Sequence, residues 1–177
     1  VRDPEPEVIA PAAGGDRAAF AAIVAQFQHP LIRFLTHLLN DAALAEDVSQ
    51  ETLVRVHREL PRFLGRSRFS TWVFAIARNA GLDAVRYRNR RPHVVGPVPE
   101  SLPAPAPSSL AAEIELGLRT LSRHHREALL LVEVVGLSYR EVALVQGVAE
   151  GTVKSRVHHA RRQLQDWFGA GEVADEL

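Results

Sequence analysis

Six prolines fall within residues 92–107 (Pro92, Pro97, Pro99, Pro103, Pro105 and Pro107), and this cluster sets the first limit on the fold. Each proline lacks a backbone donor and has a fixed φ, so the segment is neither a helix nor a central strand. It reads as a semi-extended linker over 92–108, with a reach of about 3.1 Å per residue, roughly 50 Å in total. The linker divides the 177 residues into an N-terminal block of about 80 and a C-terminal block of about 60. Each block has the length of a small domain.

Both blocks carry helical periodicity, and strand signals are nearly absent. Asp16 precedes apolar positions at helical spacing (Phe20, Ile23, Val24, Phe27), which predicts a capped helix. Pro30 is expected to interrupt it before Leu31, Phe34, Leu35 and Leu38 continue the pattern as far as Asn40. Asp41 opens a further helix that Pro61 stops, and a basic loop, 62–69, follows. Ser70 and Thr71 are expected to cap a helix running through Trp72, Ile76, Asn79, Asp83 and Arg86. The C-terminal block predicts four helices, at 111–121, 123–135, 139–145 and 151–168. Residues 1–14, proline-rich and acidic, read as a disordered tail, and 169–177 as a short acidic one. The fold class expected is therefore all-α, two small helical domains over 15–91 and 109–168 joined by the proline-rich linker.

Composition removes several function classes. Cysteine is absent, which excludes disulfide scaffolds, thiolate catalysis and cysteine-based metal sites. No apolar run is long enough to be read as a membrane span or a signal peptide, so a cytoplasmic protein without membrane insertion is expected. Lys+Arg and Asp+Glu both total 21, so the net charge is zero, but the charge is segregated. Residues 61–93 contain eight arginines against Asp83 alone, and 151–166 a second, smaller basic excess. Lys154 is the only lysine. Two basic segments in a neutral chain point to two contacts with a polyanion.

The most specific local pattern is SYREVALVQGVAEGTVKSRVHHARRQ, 138–163. Ser138 with Glu141 three residues on forms a capping box, Gln146-Gly147 supplies a tight turn, and Gly151-Thr152 begins a longer basic helix. That is a helix-turn-helix, whose second helix enters the DNA major groove. Val153, Val157 and Leu164 would pack inward, leaving Lys154, Ser155, His158 and Arg162 outward with His159 beside them. In the N-terminal block, Asp47, Gln50, Glu51 and Arg58 share one helix face.

The stretch LSYREVALVQGVAEGTVKSRVHHARRQL resembles the promoter −35-binding domain of bacterial sigma factors of the extracytoplasmic-function group. AEDVSQETLVRVHRELPRFLGRSRFSTWVFAIARNAGLDAVRYRNRR is similar to the other conserved domain of that group, in the expected order. The resemblance implies a non-catalytic initiation subunit. It would bind core RNA polymerase through the β′ coiled coil and the β flap, and would recognise and melt promoter DNA. By the same resemblance, Asp47, Gln50, Glu51 and Arg58 face the β′ coiled coil. Arg66, Arg68, Phe69 and Asn79 surround an extruded −10 base, with Arg78, Arg86 and Arg88 on phosphates. Phe63 and Trp72 are each open between the core and that base site. Lys154, Ser155, His158 and His159 meet the −35 element, joined by Thr152 and Arg162, and Tyr139 and Arg140 touch its backbone. Arginine is common in the family where His159 stands, and Ser49 and Leu53 also depart from its usual residues. An anti-sigma factor is a further partner the family implies, and no cofactor is.

Two other classes compete. A stand-alone regulator docking on an operator would explain 138–163 but leave the Gln50-Glu51 face and the arginine-rich loop idle. An enzyme would need a phosphate loop, nucleophile elbow or zinc motif, and the sequence has none. The histidine pairs 124-125 and 158-159 do not suggest a metal site, because adjacent helical side chains diverge by about 100°.

Overall fold

The computed structural model describes residues 1–90 and 110–174, with eight α-helices and no strand among them. The N-terminal unit consists of α1 (Pro6–Ala13), α2 (Arg17–Leu39), α3 (Ala42–Glu59), a 3-10 turn (Leu60–Arg62) and α4 (Phe69–Arg90). The C-terminal unit consists of α5 (Leu110–Thr120), α6 (Arg123–Glu133), α7 (Tyr139–Gln146) and α8 (Glu150–Ala174). The proline-rich segment expected as the linker lies outside the described residues.

Local chemistry fixes several helix ends. Asp16 accepts from the backbone N–H groups of Ala18 and Ala19, and Asp41 from that of Leu44, at 2.8–3.0 Å. Both satisfy donors that a helix start leaves unpaired. Between α2 and α3 the chain reverses at Asn40, whose φ of 53° is left-handed and is tolerated because asparagine pays little for it. This tight reversal makes α2 and α3 an antiparallel hairpin, against which α4 packs.

Three expectations fail here. Residues 1–14 are not a disordered tail. Pro6 sits in the first turn, where its missing donor costs nothing, and Ala12 of α1 is buried with Val8 and Ile9 packed against the core. Pro30 does not interrupt α2, which runs unbroken through it. A mid-helix proline costs about 3 kcal/mol. Ile23, Phe27, Leu31, Phe34, Leu35 and Leu38 are buried on both sides of it, each side chain returning roughly 1.5–3 kcal/mol. Nor do Ser70 and Thr71 cap α4, because the helix already begins at Phe69 and both residues lie inside its first turn.

By length and composition alone α2 could cross a membrane. Its apolar side, however, lies in the core, where Phe27 meets Phe69 and Phe34 meets Phe74 edge-on, with ring centroids 5.5 and 5.4 Å apart. The buried side chains of α6, α7 and α8, including Leu130, Leu131, Val142, Val153, Val157 and Ala160, are continuous with the core of the N-terminal unit. Gly117 lets α5 close on α8, since a Cβ there would lie 3.1 Å from Leu164 and 3.3 Å from Trp167. The two units touch, α4 against α7 and α2 against α6.

Candidate nucleic-acid interface

The C-terminal basic helix is presented by the turn that precedes it. The Ser138 side chain accepts from Glu141 N while Glu141 reaches back to Ser138 N, so the reciprocal capping box is formed and α7 has a defined start. Gly147 ends α7 at a φ of 66°, which turns the chain into α8. Val153, Val157 and Ala160 of α8 are fully buried. Thr152, Lys154, Ser155, His158, His159 and Arg162 consequently stand exposed on the other side. Arg140 is exposed as well, and Tyr139 is half-buried. This face is rich in donors to base edges and phosphates.

Two braces hold that helix, and neither is legible as a local pattern. Arg156 donates to Gln146 Oε1 at 2.8 Å, tying α8 to α7. Arg161 pairs with Glu133, tying α8 to α6, and the carboxylate holds the guanidinium pKa above its usual value. His159 stacks on His125 of α6, with ring planes 17° apart. Burial, then the neighbouring His159, Arg156 and His124, push the His125 pKa below its ordinary value.

The arginine-rich loop between the 3-10 turn and α4 forms a second feature. Phe63 and Trp72 lie 4.8 Å apart in a tilted pair, both half-buried, and with Arg62, Leu64, Arg66 and Ser67 they line a recess of about 190 Å³. Phe69, expected at this surface, is only 2% exposed. It belongs to the core, beneath the Phe63–Trp72 pair, because its helix start turns it toward Phe27. Arg66 and Asn79 are exposed.

Four other arginines, one at the end of the loop and three further along α4, meet carboxylates of the same chain. Arg78 pairs at 2.6 Å with the fully buried Glu127 of the C-terminal unit. Arg68 lies 3.5 Å from Asp3 and 3.7 Å from Glu141. Arg88 pairs with Asp41 at 2.7 Å, and Arg86 with Asp83 at 3.3 Å. Asp3 closes the start of α4, accepting from Phe69 N and Ser70 N at 3.0 Å each. That capping carboxylate comes from 66 residues away, and no local pattern could have found it.

On α3, Asp47, Gln50, Glu51 and Arg58 are all exposed. Glu51 accepts from Arg55 Nε at 3.0 Å, one turn away. Beside this face runs a groove of about 430 Å³ between α2 and α3, lined by Val24, Gln28, Ile32 and Leu53 among others. Ser49, also on its wall, is 1% exposed, and its hydroxyl has no partner.

The family described as Sigma-70 region 2 matches residues 23–91, and Sigma-70, region 4 matches 111–164. The ECF RNA polymerase sigma factor SigC of Mycobacterium tuberculosis is 38% identical over 159 residues, covering 86% of this chain and 85% of its own. The chain belongs to the ECF RNA polymerase sigma factors. The RNA polymerase sigma-H factor of Pseudomonas aeruginosa is 31% identical over 166 residues, with 85% and 86% of the two chains covered. Among solved structures, the sigma factor RpoE from Bartonella quintana, in complex with the anti-sigma factor NepR, superposes with a TM-score of 0.71. Its identity is 30%, over 85% of this chain and 96% of that one. CnrH in complex with the cytosolic domain of CnrY gives 0.70 at 28% identity, over 92% and 96%. This sigma factor therefore directs transcription initiation. Its region 2 match contains the α3 face and the arginine-rich loop, and its region 4 match contains the helix-turn-helix.

Proposed function

We propose that this sigma factor joins core RNA polymerase through the Asp47, Gln50, Glu51 and Arg58 face of α3 and reads promoter DNA with two separate surfaces. The face suits a basic partner helix, since exposed carboxylates and an amide at helical spacing pair well with arginines. The exposed face of α8, from Thr152 to Arg162, takes the −35 element in the major groove, with Tyr139 and Arg140 on its backbone. The recess beside Phe63, Arg66 and Trp72 takes a base extruded from the −10 element, and Arg68, Arg78, Arg86 and Arg88 neutralise phosphates.

A factor without ATP must recover the cost of opening the duplex, a few kcal/mol per unstacked base, by binding the single strand better than the duplex. Base–aromatic stacking worth about 1–3 kcal/mol and a cationic surround can supply it. The observation that carries this reading is the concentration of arginines around an aromatic recess, in the domain that also bears the exposed acidic face. The subunit itself is non-catalytic and acts in the cytoplasm. An anti-sigma factor is a further partner, by likeness to the complexes with NepR and CnrY.

Run-off transcription with purified core polymerase tests the reading. Transcripts must depend on this chain, and Asp47→Ala combined with Gln50→Ala must abolish them while the protein remains folded. Binding to an operator in the absence of polymerase, with no effect on transcription by core, would instead favour a stand-alone regulator.

A further inference from the structure

The segment that precedes α1 is fastened to the rest of the molecule, with the Arg2 and Glu5 side chains exposed and Asp3 turned inward. It crosses the arginine-rich loop. Gln26 of α2 donates to the Arg2 carbonyl at 2.7 Å, which anchors the segment at one point. One residue on, Asp3 places both carboxylate oxygens on the start of α4, at 3.0 Å from Phe69 N and 3.0 Å from Ser70 N. Its Oδ2 also lies 3.5 Å from Arg68 Nε. The C-terminal unit continues the same cluster: Glu141 accepts from Thr71 Oγ1 at 3.0 Å and lies 3.7 Å from Arg68 Nε. α1 then packs on α2 and the 3-10 turn, so the segment is held on both sides of Asp3.

The chemistry of this contact is that of an anion at a helix start. The first N–H groups of α4 point outward with no intrahelical partner, the helix dipole makes that end positive, and a guanidinium stands beside it. A phosphate group would use the same donors in the same way. Asp3 therefore occupies, from within the chain, a position where the nucleic-acid backbone would bind if the recess beside it receives a −10 base.

We propose that residues 1–5 form a strap whose Asp3 carboxylate inhibits −10 strand binding. Asp3 stands in for a DNA phosphate at the start of α4 and on Arg68, and Glu141 latches the C-terminal unit over the same cluster. The inference rests on the assignment of the arginine-rich loop as the −10 reader. Engagement of the single strand displaces Asp3, frees Arg68 and loosens the Thr71–Glu141 bond, so that DNA binding and separation of the two units become one event.

The test is fluorescence anisotropy of a fluorescein-labelled, A·T-rich single-stranded decanucleotide, titrated at low salt with the full chain and its variants. Asp3→Ala should bind about tenfold more tightly than the unmodified chain, the size expected when a charge-assisted competitor is removed. Asp3→Asn keeps one of the two acceptor oxygens and a good capping residue while removing the charge, so it guards against a fold defect and should also bind more tightly. Equal affinity for Asp3→Ala, Asp3→Asn and the unmodified chain, or no binding by any of them, overturns the strap. Arg66→Ala in the Asp3→Ala background separates this from failure of the underlying assignment. If that double variant loses the gained affinity, the loop is the binding site. If affinity is unaltered, the −10 assignment fails and the strap fails with it.

Discussion

Arg78 of α4 and Glu127 of α6 meet at 2.6 Å between Nε and Oε1, joining a half-buried guanidinium of region 2 to a fully buried carboxylate of region 4. Only one oxygen is paired, since Glu127 Oε2 has no partner. Loss of one member of a buried pair costs about 3–5 kcal/mol, because the other charge is left in a poor solvent. In Arg78→Ala that penalty disappears if the units separate and water reaches Glu127. The expected outcome is a larger radius of gyration by small-angle X-ray scattering and faster hydrogen exchange along α6. Glu127→Gln, which removes the charge and keeps the shape, should change both much less. Identical scattering from Arg78→Ala and the unmodified protein would count against the pair as a clasp.

Four groups with lowered pKa make stability depend on pH in two windows, His37 and His125 in the upper, Asp41 and Glu141 in the lower. His125 has its pKa pushed below the ordinary 6.5, first by burial and then by His159, Arg156 and His124. The unfolded chain therefore binds the proton more readily, and region 4 loses stability as the pH falls below about 6.5. Glu141 has its pKa held below the ordinary 4.5: burial pushes it up, but hydrogen bonds from Ser138 and Thr71 and the nearby charge of Arg68 outweigh that. Its contribution is present above about pH 4.5 and is lost as the pH falls further. Thermal melts at intervals between pH 8 and 4 should show two successive losses, with His125→Gln reducing the upper one and Glu141→Gln the lower, while His37 and Asp41 keep the remainder of each.

Exposed imidazole where a guanidinium is common gives His159 a measurable signature. His159→Arg adds a permanent charge to the DNA-facing side of α8. Affinity for duplex DNA should rise across sequences, and the slope of log affinity against log salt should steepen by about one. An unchanged slope would show that position 159 does not face phosphates.

Ser49 has a buried hydroxyl without a partner on the wall of the α2–α3 groove. An unsatisfied buried polar group costs about 1–3 kcal/mol. Ser49→Ala should therefore raise the midpoint of urea unfolding at unchanged slope. A lowered midpoint would mean that the hydroxyl has a partner in solution.

The features legible in the sequence are the local ones. Asp16, Asp41 and Ser138 cap the helices that follow them because a cap acts within three residues, and Gly147 turns the helix-turn-helix for the same reason. Val153 and Val157 pointed inward because helical spacing fixes their face. What escaped was decided by distant chain. Pro30 is carried inside α2 by burial on both its sides, which no local propensity contains. Phe69 is drawn into the core by Phe27, 42 positions before it, and Arg78 finds its carboxylate 49 residues on. The arginines were visible as charge, whereas the carboxylates that meet Arg68 and Arg78 were visible only as scattered acidic residues.

The reach of Asp3 across 66 positions also has a consequence during synthesis. At roughly 5–20 residues per second, a ribosome needs about 3 to 13 seconds to advance from Asp3 to Phe69. Through that interval the nascent chain carries Asp3 with nothing to clasp, and the first turn of α4, once made, stays bare until the two meet. A molecule fresh from translation thus passes through an unfastened form before the mature one.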